Sequence, residues 1–133
     1  MKKLLKVSEG KMELFFFYAG HGLPDEASKE AYLIPVDISG SNIKNGIKLQ
    51  DIYNSFSENE SAGITMFIDA CFSGGARNKE YVANRGVKVV PRSDFLNGNI
   101  VSFTASSGNQ TSSSYSDKKH GLFTYFLLNY SRS

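Results

Sequence analysis

Two short apolar runs decide what this chain can fold into. Leu14-Phe15-Phe16-Phe17-Tyr18-Ala19 stops at Gly20, and Ile64-Thr65-Met66-Phe67-Ile68 begins just after Gly63. Neither approaches the roughly 20 residues of a membrane helix, and neither has the 3–4 spacing of an amphipathic one. Unbroken apolar runs of this length predict strands buried on both faces, side by side in a parallel sheet. Residues 99–105, Asn-Ile-Val-Ser-Phe-Thr-Ala, predict a third such strand. Leu49, Ile52, Tyr53 and Phe56 repeat on one helical face between the first two, and Phe123, Phe126, Leu127 and Tyr130 do so after the third. Strand, helix, strand, strand, helix is the order of a layered α/β domain.

The remaining segments carry weaker signals. Gly20-His21-Gly22 ends the first strand, and residues 23–31 read as a polar loop. Residues 31–36, Ala-Tyr-Leu-Ile-Pro-Val, are apolar, but Pro35 demotes them to an edge strand or extended piece. Residues 37–47 read as loop. Residues 72–98 predict a long surface loop with a short strand at 87–90, and the Ser-rich stretch 106–116 predicts a mobile loop.

At 133 residues the chain is one domain. Its net charge is +2 with the charges scattered, which leaves no electrostatic footprint for nucleic acid. Lys2, Lys3 and Lys6 imitate the start of a signal peptide, but no apolar stretch of about 7–15 residues follows. A single Cys cannot close an internal disulfide, and a site built on paired cysteines is impossible. These features predict a soluble cytoplasmic protein with no membrane segment.

The chemistry lies where the two strongest strands end. The first runs into His21 between two glycines, and the second into Asp69-Ala70-Cys71. In open α/β sheets, sites form at the C-terminal ends of the strands. A thiol and an imidazole there make a nucleophile and a base. The backbone N–H groups of Gly22 and Cys71 are candidates to hold an oxyanion. Strand alternation puts Asp69 on the same side as Cys71, where a carboxylate suits a cationic side chain. Each residue also has a plainer reading. Cys71 can be a small core residue, His21 a turn residue, and Asp69 or Ser73 the cap of a helix starting after Cys71. His120 reads as a solvent or structural residue at a helix start. The glycines around Ser73 fit neither a G-x-S-x-G elbow nor a phosphate loop, and no metal or other cofactor is assigned.

Together these segments resemble the caspase-like cysteine peptidases: caspases, paracaspases and metacaspases. His-Gly after an apolar strand, followed about 50 residues later by Asp-Ala-Cys-x-Ser-Gly, is the family's pairing. Tyr32-Leu33-Ile34-Pro35-Val36-Asp37, Phe103-Thr104-Ala105-Ser106 and His120-Gly121-Leu122-Phe123-Thr124 are similar to further family segments, so the likeness spans residues 12–130. The resemblance implies a three-layer, mostly parallel caspase-like α/β fold. It makes Cys71 the nucleophile, His21 its base, Gly22 and Cys71 the oxyanion donors, and Asp69 the carboxylate of a pocket for Arg or Lys before the cut. The implied reaction is hydrolysis of a polypeptide substrate.

The chain departs from the metacaspase pattern at Ala19, where Ser is common, and at Phe72, where His is common. Residues 1–11 do not supply the two strands that precede the His strand in the family. The expectation is therefore a single, partial domain over 1–133, truncated at the N-terminal side of its sheet, with the aromatic edge of residues 14–17 left open. That gap motivates an alternative reading, a catalytically silent caspase-like interaction module. The sequence sets no oligomeric state.

Overall fold

The computed structural model describes residues 12–38, 40–58, 63–72, 96, 98–106, 114–115 and 120–130. Three parallel strands form the main sheet: β1 (Glu13–Ala19), β5 (Gly63–Asp69) and β6 (Ile100–Thr104), with β5 in the centre. β1 runs in register with β5 from Glu13↔Gly63 to Ala19↔Asp69. β6 pairs from Ile64↔Ile100 to Ile68↔Thr104, and the Ala105 N–H donates to the Ile68 carbonyl just past the last pair. A second sheet in the order β2-β3-β4 is antiparallel, built from His21–Pro24, Ala31–Ile34 and Ile47–Lys48. A 3-10 segment over Gly40–Asn45 precedes β4. Helix α1 (Leu49–Ser57) follows β4 directly. Two short strands, β7 (Ser114–Tyr115) and β8 (His120–Gly121), pair antiparallel ahead of helix α2 (Leu122–Tyr130).

The core forms where α1 lies on one face of the main sheet. Leu49, Tyr53 and Phe56 of α1 meet Ile64, Met66, Ile68 and Ile100, with Ala31 and Leu33 from β3. The Phe16 ring stands edge-on to Phe56, with centroids 5.8 Å apart. The Tyr53 hydroxyl lies 3.1 Å from the Ser102 hydroxyl and ties α1 to β6. The apolar spacing that predicted this helix is therefore the spacing of its contacts.

The opposite face corrects one expectation. β1 is buried on one side only: Phe15 is 70% and Phe17 53% exposed, and Val101 and Phe103 of β6, across β5, are exposed as well. Phe67 stacks on Phe103 there, with centroids 5.4 Å apart. Among the described residues, α1 covers only the other face, and β1 ends the sheet. An aromatic run records what a strand would bury, not whether a layer covers it. Because Phe17 makes so little buried contact, Phe17→Thr is expected to change stability by no more than about 0.5 kcal/mol, measured by urea unfolding.

The second correction concerns residues 21–34. The sequence predicts a loop after His21, but the chain bends at Gly20 and re-enters a strand. β3 lies in the centre of its sheet rather than at an edge. Its four residues are all buried, Ala31 and Leu33 in the main core and Tyr32 and Ile34 against Leu23 and Ile43. Pro35 falls just past the last ladder position, so its missing N–H costs no hydrogen bond there.

The turn between β2 and β3 is held by Asp25. Its Oδ1 accepts from the N–H groups of Ser28 (2.8 Å) and Ala27 (3.1 Å), and its carbonyl accepts from Lys29 N–H. The Ser28 N–H is the main cause that holds the Asp25 carboxyl below the usual carboxylate range, against burial. A depressed pKa in the folded state stabilises above the unfolded value and is lost as pH falls through the folded one. The destabilisation caused by Asp25→Ala is accordingly expected to be full at pH 7 and to shrink below about pH 4, read by denaturant midpoints at the two pH values.

Candidate active site

The parallel pairing of β1 with β5 brings the two chemical strand ends together. Ala19 stands opposite Asp69, and the Gly20 N–H donates to the Asp69 carbonyl at 3.1 Å. His21 begins β2, paired with Ile34. The Tyr18 hydroxyl reaches over Gly20 and is shared between the carbonyls of His21 (2.9 Å) and Ile34 (3.2 Å). Burial raises the Tyr18 phenol above its ordinary pKa, so it remains a neutral donor at working pH. Tyr18 thus fixes the backbone of His21 where the chain leaves one sheet for the other.

Gly22 is the point of closest approach. A Cβ there would stand 2.6 Å from the Phe72 ring and 3.2 Å from the Cys71 carbonyl oxygen. The residue after the imidazole therefore lies directly against the residues that carry and follow the thiol, and only a glycine leaves the room. Gly22→Ala is expected to force Phe72 aside, cost about 1–3 kcal/mol of stability, and lower activity with it. Parallel thermal melts and cleavage assays check both parts.

Beyond β5 the alternation continues. Ala70 and Phe72 join the core cluster with Ile68, and Asp69 and Cys71 do not belong to it. Cys71 is buried, with 7% of its surface exposed. Its peptide is anchored from the segment after β6: the buried Ser106 hydroxyl donates to the Ala70 carbonyl at 3.2 Å. Ser106 therefore belongs to the framework, although the sequence reads it as the start of a mobile loop. Ser114–Tyr115 likewise form a strand, while 107–113 and the predicted strand at 87–90 lie outside the described residues.

Asp69 is the most enclosed of these groups, at 1% exposure. Its Oδ2 accepts from both the Thr124 hydroxyl (2.5 Å) and the Thr124 N–H (3.2 Å). Thr124 is the third residue of α2, and Gly121 just ahead of the helix has no side chain to cap it. An N-cap oxygen ordinarily accepts from the second or third helical N–H. Here a carboxylate from β5 takes that place, and its charge suits the helix N-terminus. The plainer reading of Asp69 as a cap thus has a counterpart, on α2 rather than on a helix after Cys71. The fit is tight, for a Cβ on Gly121 would collide with Oδ2 of Asp69 and stand 2.6 Å from its Cγ.

The sequence missed the roles of Tyr18, Ser106 and Thr124. Ser106 and Thr124 sit inside segments singled out by resemblance, and Tyr18 closes the aromatic run, but no local spacing reveals whose polar atoms they bind. The apolar face expected on α2 is not a core face: Phe126 is 61% and Tyr130 85% exposed, and Thr124 is the buried residue of the helix. Among the described residues, no group of three or more His, Cys, Asp or Glu could hold a metal, and no helix is long and apolar enough to cross a membrane.

A parallel α/β sheet with a thiol and an imidazole carried on adjoining strand ends defines a class of candidate hydrolases. A family model of the caspase domain matches residues 1–133, and the chain belongs to that family of cysteine peptidases. No curated protein matches it.

Proposed function

We propose that the chain is an endopeptidase with a Cys71–His21 dyad, cutting polypeptides after Arg or Lys. The observation that carries this reading is the meeting of the strand ends, with Gly22 against the Cys71 carbonyl and Ala19 opposite Asp69. Family membership supplies the reaction class. In the proposed mechanism the Cys71 thiol gives its proton to His21 and the sulfur adds to the scissile carbonyl. The backbone N–H groups of Gly22 and Cys71 hold the oxyanion. His21 then protonates the departing amine, and water, deprotonated by His21, releases the acyl group from sulfur. Asp69 is the carboxylate that the end of β5 brings to this junction, and it selects a cationic side chain before the cut.

The test is covalent labelling with an Arg-chloromethylketone peptide, followed by mass spectrometry. Modification at Cys71, suppressed by an excess of an Arg-ending peptide, is expected. The second reading, a silent caspase-like module, draws on the burial of both Cys71 and Asp69. An unlabelled Cys71 under conditions that alkylate a small free thiol would favour that module over the peptidase.

A further inference from the structure

A pocket carboxylate must meet its substrate, yet Asp69 is enclosed by the first turn of α2. Thr124 supplies two donors to one carboxylate oxygen. Gly121 lies so close that even a methyl group would not fit between it and the carboxylate. An ammonium is about the size of a methyl and a guanidinium is larger, and Asp69 is 1% exposed, so neither reaches it while β8 and α2 keep these positions. The helix end and a basic side chain compete for the same charge.

We propose that Thr124 is a specificity-setting latch: the start of α2 holds Asp69 closed, and an Arg or Lys side chain enters by displacing Thr124 from the carboxylate. This rests on the reading of Asp69 as the selectivity carboxylate. The helix loses its cap when the latch opens, and the incoming cation replaces the donors lost by Asp69. Binding is then weakened by the fraction of time the latch is closed. A substrate without a positive side chain offers nothing to replace the Thr124 donors and leaves the latch shut. The latch therefore rejects neutral residues as well as admitting basic ones.

Benzamidine, a compact amidinium, is the probe, titrated by calorimetry into the full chain carrying Cys71→Ala so that cleavage plays no part. Thr124→Val removes the hydroxyl and keeps the shape, and is expected to tighten benzamidine binding about ten-fold, the effect of one hydrogen bond to a charged group. Thr124→Ser keeps the hydroxyl and should bind as the parent does. Asp69→Asn should abolish binding. Unchanged or weaker binding in Thr124→Val, or no binding by the parent and Thr124→Val alike, overturns the latch. Binding that survives Asp69→Asn overturns the assignment of Asp69 itself.

A measurement without substitution at Thr124 covers the case in which that variant does not fold. Saturating benzamidine is expected to speed hydrogen exchange at the Thr124 N–H, since the bond to Asp69 must open. Exchange that slows or stays the same contradicts the latch. Absence of Cys71-dependent cleavage, alongside the expected benzamidine results, would remove the peptidase reading and leave the latch standing.

Discussion

Replacing Cys71 by Ala is expected to cut the hydrolysis of an Arg-ending coumarin peptide by at least about 10³-fold, to the background rate. The sulfur is the atom that forms the acyl bond in the proposed route, and Ala offers no substitute. His21→Ala should lose nearly as much, because a thiol without its base is a poor nucleophile near neutral pH. The double variant is the sharper part. Groups that act as one unit are non-additive, so Cys71→Ala with His21→Ala should be no worse than Cys71→Ala alone. Losses that multiply would mean that the two side chains act in separate places. Melting temperatures measured in parallel separate a lost function from a lost fold.

Asp69 is expected to show two separable effects. Asp69→Ala removes the acceptor of the Thr124 hydroxyl and N–H. Leaving such donors buried and unpaired costs about 1–3 kcal/mol, which urea unfolding will show. The same variant should lose the preference for Arg and Lys, by about 10²-fold in kcat/KM relative to a neutral reporter, since the proposed selectivity carboxylate is gone. Asp69→Asn separates the two. It keeps an oxygen that can accept from Thr124, so most of the stability should return, whereas the charge and the preference for basic residues should not. A preference that survives both substitutions would place the selectivity carboxylate elsewhere.

The strands β1, β5 and β6 were legible as short apolar runs, although β1 and β6 leave one face exposed, and α1 was legible because its apolar spacing is the spacing of its contacts. The second sheet was not. His21-Gly22-Leu23-Pro24 has the composition of a turn, and Gly and Pro are poor strand formers. Its pairing with β3 comes from tertiary contact: Leu23 packs against Tyr32 and Ile34, and Tyr18 clamps the first pair. Pro35 misled in the same way, because a one-residue shift decides whether proline breaks a ladder or merely ends it.

The candidate site divides likewise. His21 and Cys71 stand out in the sequence because each follows a strand with a strong apolar signal, and the parallel register brings the ends of those strands together. The partner of Asp69 does not, since Thr124 lies 55 residues further on, beyond β6, β7 and β8 and on a helix whose apolar pattern points attention to Phe126 and Tyr130. Capping is normally a local matter, and a cap supplied from another strand leaves no spacing to recognise.

The central claim is that the imidazole of His21 governs the thiol of Cys71 at the joined strand ends. Its most direct test is the rate of Cys71 alkylation by iodoacetamide across pH 5 to 9, in the parent chain and in His21→Ala. The account expects His21→Ala to slow alkylation at pH 6.5 by about ten-fold or more and to move the profile to that of an ordinary thiol, whose pKa is about 8.5. Superimposable profiles from the two proteins would contradict it.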